Sequence, residues 1–311
     1  MAGNPNFDAL LSTTLANYVP KLEDNVFSAR PFVAWLKRKD HIRMVNGGAK
    51  IVEPLIYAQN DTAGSYTGYD SIPTTPQEGI TAAEYPWRQF AATVAIAGIE
   101  EAQNNGEQEV INLLEAKIMQ AEETIAEKLD QMFFLDGTGN SSKDWLGLAA
   151  FVATTGTVGG INKATDAFWQ SYQETTAEPL SIAKMATAYN TVSRGNDHPD
   201  FVLTTQTLFE KYEALLQPQL RFTDPGTADA GFQNLLYKDA PVMYDVYTQA
   251  GVVYFLNSKY LKLVGHSKKW FSPTPFKSPH GQDARYAQIL SYGNLTCSNC
   301  ARQGKLTAKT V

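Results

Sequence analysis

Cysteine, histidine and charge are all scarce in this sequence, and each shortage removes a class of function. Two cysteines among 311 residues cannot staple a disulfide scaffold. Four histidines (His41, His198, His266 and His280) stand apart, with no HExxH or other ligand spacing. No Gly-Lys-Ser/Thr and no GxSxG occurs, so the chain carries neither the usual phosphate loop nor a nucleophile elbow. No apolar run approaches the roughly 18–20 residues of a membrane span; the longest near-apolar stretch is Phe90–Ile99. The first residues, MAGNPNFDALL, lack the basic and apolar regions of a signal peptide. Positive charge is missing too. Lys and Arg number 26 against 32 Asp and Glu, a net charge of −6, whereas gripping DNA along its length needs a basic field. Charged residues make up only 19% of the chain, below the roughly 25% of ordinary soluble proteins. That shortage points to a surface covered by partners.

What is present supports a sizeable core. Hydrophobic residues reach 43%, and the length fits about two domains. Residues 1–47 hold short amphipathic pieces, Phe7–Leu15 and Val26–Leu36, the second broken by Pro31, and then the basic cluster Lys37-Arg38-Lys39. They read as an extended arm with one or two short helices. Ile51–Tyr57 and Tyr85–Ile99 are β-type runs. Between them, residues 58–83 are rich in Asn, Asp, Thr, Ser, Gly, Pro and Tyr. So long a loop inside a compact domain marks a functional or partner-ordered segment, here carried by a long hairpin arm. Ile111, Leu114, Ile118, Ile125, Leu129 and Met132 then step by threes and fours, which predicts a helix over 107–135, roughly 40 Å long. Its expected outer face is acidic: Glu115, Glu122, Glu123, Glu127 and Asp130 against Lys117 and Lys128. Residues 146–269 mix helices (Leu180–Ser193, Thr207–Leu216) with short buried strands (Phe201–Thr204, Val242–Asp245, Val252–Leu256). The tail Ala284–Leu306 returns to β-type residues, expected to pair with the strand ending near Ile99. The fold class is α+β.

Candidate chemistry is thin. Asp136-Gly137-Thr138-Gly139-Asn140 follows a helix, whereas a phosphate cradle precedes one, so it reads as a helix stop. Cys297-Ser298-Asn299-Cys300 is at most half a zinc site or a redox pair. On a strand its two thiols would point to opposite faces, and ordinary thiols are expected. Glu100-Glu101 reads as a solvated helix start. No catalytic residue, metal ligand or cofactor site is assigned. The cluster Tyr66, Tyr69, Ile72 and Pro73 in the long loop is different, because aromatic anchors of this kind are favoured in interfaces between subunits.

Taken in order, several segments carry a resemblance. These are LEDNVFSARPFVAWLKRK with NGGAKIVEPLIYAQN, then SYTGYDSIPTTPQEGITAAEYPWRQFAATVAI, then residues 107–135 with DGTGN and Leu146-Gly147-Leu148. Gly159-Gly160-Ile161 with Phe168-Trp169, PDFVLTTQTLFEKYEALLQPQLRF, GFQNLLYKDAPVMYD, VVYFLNSKYL and GNLTCSNCARQGKLT complete the set. Together they resemble the major capsid protein of tailed double-stranded-DNA bacteriophages. The resemblance implies an N-terminal arm (1–47), an E-loop hairpin (48–90) and a discontinuous peripheral (P) domain with a long spine helix (91–145 and 270–311). An axial (A) domain of mixed α/β type (146–269) would be inserted into it. It implies a structural protein, not an enzyme, that forms hexamers and pentamers of an icosahedral head around double-stranded DNA, without reading its sequence.

The implied partners are further copies of the chain, a portal at one vertex and decoration proteins on the outside. The protein would be made in the host cytoplasm and end in the virion. The E-loop would lie over a neighbouring subunit, with Tyr66, Tyr69, Ile72, Trp87 and Arg88 in assembly contacts. Lys37, Arg38 and Lys39 (with Arg43) would serve contacts between subunits or with scaffold, and the acidic helix would keep the interior from gripping DNA. Two departures shape these expectations. Between Lys50 and Lys117 the only basic residue is Arg88, so the lysine used by some family members for an isopeptide cross-link is absent and no covalent mesh is expected. The arm begins almost at Met1, so a separate scaffolding protein is expected. The alternatives are a nanocompartment shell of the same fold, an enzyme of unknown type, and a tail or decoration protein.

Overall fold

The structure, a computed structural model, describes residues 30–103, 107–216 and 235–311; the expected piece Phe7–Leu15 and the side chains of Ile111, Leu114 and Glu115 lie outside the described residues. The first described element is a helix, Pro31–Arg38. Pro31 starts this helix and does not break it: at the first helical position proline gives up no intrahelical bond, and its φ is already set. Phe32, Val33, Trp35 and Leu36 are buried. The Trp35 ring stacks on Phe201 with centroids 4.5 Å apart, and Phe32 meets Phe133 edge-on at 5.8 Å. Phe32, Val33, Trp35 and Leu36 therefore join this short helix of the expected arm to the core.

The strands follow in chain order. They are β1 (Ile42–Val45), β2 (Ile51–Ile56), β3 (Ile80–Tyr85), β4 (Arg88–Ala97), β5 (Thr157–Val158) and β6 (Ile161–Asn162). Next come β7 (Tyr172–Glu174), β8 (Glu178–Pro179), β9 (Phe201–Thr204), β10 (Leu235–Tyr237), β11 (Ala240–Tyr244) and β12 (Val253–Leu256). The last are β13 (Leu261–His266), β14 (Ser272–Pro273), β15 (Ala284–Cys297), β16 (Gly304–Leu306) and β17 (Lys309–Thr310).

A five-stranded sheet is organised around β15. On one edge β15 pairs with β4 from Ala284↔Ala97 to Gly293↔Arg88, the pairing expected of the tail. On the other it meets β14 and β13, and β1 runs parallel to β13. The long helix Glu107–Phe134 packs beside β4. Ile118, Ala121, Ile125, Leu129 and Met132 form its buried stripe, as the spacing requires. The acidic-face expectation needs a correction. Glu123 and Glu127 are exposed, but Glu122 and Asp130 are buried. Asp130 lies four residues after the buried Ala126 and one turn before Phe133 and Phe134, so the helical period turns it inward with them.

The second sheet has six strands in the order β10-β11-β9-β12-β16-β7. Every residue of β9 and β12 is buried, which is why both read as unbroken apolar runs. Helices Ile182–Val192 and Gln206–Leu216 pack on this unit. The Ser181 Oγ caps the first by accepting from the Lys184 amide.

Three strands fall on the other side of the expected division at 269/270. β13 belongs to the five-stranded sheet, whereas β16 pairs with β12 and β7 and β17 pairs with β8. The crossings occur at two single turns, Ser258–Tyr260 and Cys300–Arg302, each opened by an asparagine cap. Asn257 Oδ1 accepts from the Lys259 amide, and Asn299 Oδ1 from the Ala301 amide. The hairpin also differs from expectation. Its return strand is β3 and not Tyr85–Ile99. Pro86 has no N–H to extend a ladder, so the chain breaks there and β4 starts anew in the five-stranded sheet.

Candidate assembly surfaces

The hairpin β2–β3 has two unlike faces, because side chains alternate along a strand. Ile51, Glu53, Leu55, Ala83 and Tyr85 point inward and are buried. Glu53 is paired there by Arg43 at 3.2 Å and Lys262 at 3.6 Å. The Tyr85 hydroxyl donates to the Cys297 carbonyl at 2.6 Å. The outward face carries Val52, Pro54, Ile56, Ile80 and Ala82, with Ile56 81% and Ile80 77% exposed. These two are cross-strand partners at the far end of the ladder.

Beyond them the loop 57–79 extends from a fixed root. The Tyr57 amide donates to Gly79 O at 2.9 Å, and the Tyr57 ring stacks on Phe168 at 5.0 Å. A small hairpin, β5–β6, turns through Gly159 and Gly160 at φ +63° and +78°, values suited to glycine. Gly159 O accepts from the Glu84 amide at 2.9 Å, tying this hairpin to β3. A cleft of about 660 Å³ opens beside the root, lined by Tyr57, Ile80, Gly160, Ile161 and Phe168 among others.

Local bonds shape the tip. Asn60 Oδ1 accepts from the Thr62 amide at 2.9 Å, and Asp70 Oδ2 from the Thr67 amide at 2.8 Å. These are the self-turning side chains that such loops use. They leave Tyr69 fully exposed (106%), Tyr66 at 68% and Ile72 at 56%. Apolar area held out on an arm in this way marks an interaction surface.

The remaining candidates separate into inward and outward groups. Trp87 donates from Nε1 to Gly48 O at 2.8 Å and meets His266 edge-on at 5.6 Å. Arg88 donates from Nη1 to Gly137 O at 2.6 Å and also to Asp144 O. It holds the turn that follows the long helix. Lys39 pairs with Asp200 at 3.3 Å, while Lys37 and Arg38 are exposed on the last turn of their helix. The structure thus groups Tyr66, Tyr69 and Ile72 on the arm, and Trp87 and Arg88 at internal junctions.

DGTGN is the helix stop it was expected to be. The helix ends at Phe134, Gly137 takes φ +78°, and Asp136 Oδ1 accepts from the Thr138 amide at 3.0 Å. Cys297 and Cys300 are both buried free thiols. They do not oppose one another across a strand, because β15 ends at Cys297 and the next turn brings Cys300 inward. Burial, followed by the hydrogen bond and charge of Cys300, pushes the Cys297 thiol well up, which keeps it unreactive. Among the described residues no cluster of three or more His, Cys, Asp or Glu could hold a metal ion. No described helix is long and apolar enough to cross a membrane.

Two features escaped the sequence reading. The apolar outer face of β2–β3 was hidden because the return strand was placed after Pro86 and not before it. The mutual influence of the buried carboxyls of Asp130 and Asp245 joins residues far apart in sequence, so no local pattern could have signalled it.

No model of a protein family and no curated protein matches the sequence. Solved structures do match the fold. The chain is similar to the capsid asymmetric unit of cyanophage A-1(L), at TM-score 0.64 and 18% identity, over 86% of this chain and 91% of that one. The capsid of a native GTA particle matches at TM-score 0.56 and 11% identity, over 88% and 90% of the two chains. The holo-SrpI encapsulin complex of Synechococcus elongatus PCC 7942 matches at TM-score 0.55 and 12% identity, over 88% and 87%. The architecture is the α+β tailed-phage capsid fold, with its long spine helix, two sheet-based units and an extended β-hairpin.

Proposed function

We propose that this chain is the major subunit of a phage head, closing through hexamers and pentamers into an icosahedral shell around double-stranded DNA. The observation that carries the reading is the arm: Tyr66, Tyr69, Ile72, Ile56 and Ile80 stand exposed on a rooted hairpin, on a fold shared with capsid chains. A closed shell gives each arm a neighbour to cover it, since every subunit repeats the same contacts. On this reading the division into arm, E-loop, P-domain and A-domain is one of assembly roles, and Lys37 and Arg38 contact scaffold or adjacent subunits. A separate scaffolding protein acts during assembly, a portal occupies one vertex and decoration proteins bind the outside, and the chain performs no catalysis. The exposed Glu123 and Glu127 on the spine helix would keep the inner surface from holding DNA.

The test is negative-stain imaging of the purified chain, alone and with the product of a neighbouring scaffold gene. Closed shells of uniform diameter are the expected result with that product present, and uniform shells from the chain alone would count against a separate scaffold. A discrete small oligomer with a ligand-binding pocket would support an enzyme, and tubes or trimers a tail or decoration protein. The likeness to an encapsulin favours one second reading, a nanocompartment shell. Shells purified from the native source with DNA inside support the phage reading, and shells filled with protein cargo support the other.

A further inference from the structure

Three parts of the fold meet at a buried cluster of ionisable groups that the shell reading leaves without a role. Asp130, on the long helix, is fully buried, and Asp245, in the turn after β11, is nearly so. Arg30, just before the first described helix, places its Nε 3.8 Å from Asp130 Oδ2. That is an ion-pair distance, beyond a hydrogen bond. If both carboxyls were ionised, neither oxygen of Asp130 would have a hydrogen-bond donor, and neither would Oδ2 of Asp245. The Thr248 hydroxyl beside them is unpartnered as well.

The other charged and titratable groups around the cluster lie outside it. Glu127 accepts from the Tyr247 hydroxyl at 2.6 Å, and Arg30 sits over the Tyr247 ring at 5.8 Å. The Asp245 amide is taken by Thr204 O at 3.0 Å, its Oδ1 accepts from the Tyr247 amide at 3.0 Å, and Gln249 donates to Phe134 O. One partly exposed guanidinium therefore stands against two buried carboxyls. Burying an unpaired charge is costly enough that such a group takes up a proton. A proton between the two lets one Asp130 oxygen donate to Asp245 Oδ2, and leaves the second Asp130 oxygen to the charge of Arg30.

We propose that Asp130 and Asp245 share one proton and, beside Arg30, form a latch between the long helix and the turn that follows β11 in the six-stranded unit, and that loss of this proton loosens that junction. The shared proton belongs to the pair. Burial first, and then the neighbouring Asp245, push Asp130 up to about 8. Burial likewise raises Asp245. The folded state then holds the proton more tightly than the unfolded chain. The latch is therefore complete in mild acid, weakens as pH rises above the ordinary carboxylate range, and is lost through about 8. Mild alkali, not acid, is the loosening condition. The inference is independent of the shell reading, because it concerns contacts within one chain.

The test uses the purified full-length chain in three measurements. Infrared difference spectra of wild type minus Asp130→Asn at neutral pH should show the carbonyl band of a protonated carboxylic acid, fading in alkali. Its absence at neutral pH overturns the proposal. Denaturant unfolding from pH 5 to 9 should show the folding constant of wild type, relative to Asp130→Asn, falling by up to about tenfold per pH unit. Parallel curves overturn it. Hydrogen exchange over residues 244–250, taken as the wild-type-to-variant ratio at each pH, should rise through the same range, and a flat ratio overturns the loosening step. If Asp130→Asn does not fold, Asp245→Asn takes its place, and the infrared band of the wild type stands alone as the deciding measurement.

Discussion

The double substitution Tyr66→Ala with Tyr69→Ala separates folding from assembly. Both rings are far from the core, with Tyr69 fully exposed (106%) and Tyr66 68% exposed, so each change should alter the stability of the isolated chain by no more than about 0.5 kcal/mol. In an interface the same rings matter more. Covering an aromatic side chain of this size is worth about 2 kcal/mol, so losing two costs about 4 kcal/mol per contact. At about 1.4 kcal/mol per factor of ten, the pairwise association constant drops roughly a thousandfold. Each subunit of a closed shell gives and receives this contact, so the loss recurs at every position. Circular dichroism of the unassembled variant should match wild type in spectrum and melting temperature. Sedimentation and negative-stain imaging across a concentration series should show shells failing to form, or forming only at far higher concentration. Ser71→Ala, an exposed change on the same loop, should do neither. Normal shells from the double variant at wild-type concentration would refute the assignment of the arm.

Replacing Arg88 with Met removes the donor to Gly137 O and Asp144 O and should cost about 1–3 kcal/mol in denaturant unfolding; an unchanged midpoint would remove its role at the helix exit. The Glu178 carboxylate is drawn down from its usual 4.5 to about 2, first by its bond to Lys309 and then by Lys184. Its folded value is depressed, so its contribution is present above the ordinary carboxylate range and lost as pH falls toward 2. Hydrogen exchange in the β8–β17 pair should therefore quicken in acid for wild type, and Glu178→Gln should show no such acid step. With Arg88 the only basic residue between Lys50 and Lys117, denaturing gels of mature particles should run as a single band. A ladder of multimers would show cross-linking by another route.

Much of the fold was legible because its signals are local. The long helix showed in the spacing of Ile118, Ile125, Leu129 and Met132, and the strand core in the runs at 201–204 and 253–256. What escaped depends on contacts distant in sequence. Pro31 reads as a breaker until Phe32 and Trp35 are seen packed on Phe133 and Phe201. β13 and β16 sit in sheets that their neighbours in sequence do not share, because the change of sheet occurs in the two asparagine-capped turns. The arm was found by its abnormal loop length and its tyrosines. Arg88 was expected among the assembly contacts, and only the turn at Gly137 shows the carbonyls it holds.

The scarcity of charge gains force from where the charges lie. Glu53, Glu122, Asp130, Lys163, Asp245 and Lys309 are all buried, so part of an already small set of charged side chains is withdrawn from the surface. Several of them join separate parts of the chain. Glu53 ties β2 to Arg43 and Lys262, Lys309 ties the last strand to Glu174 and Glu178, and Lys163 donates to the carbonyls of Ala150 and Phe151 at 2.9 and 2.6 Å. Buried ion pairs add little net stability against apolar residues of the same volume, but breaking one partner is severe. Their effect is to fix one arrangement of hairpin, sheets and helix. On the proposed shell reading, a subunit that repeats identical contacts with each neighbour needs that single arrangement more than it needs a highly charged surface.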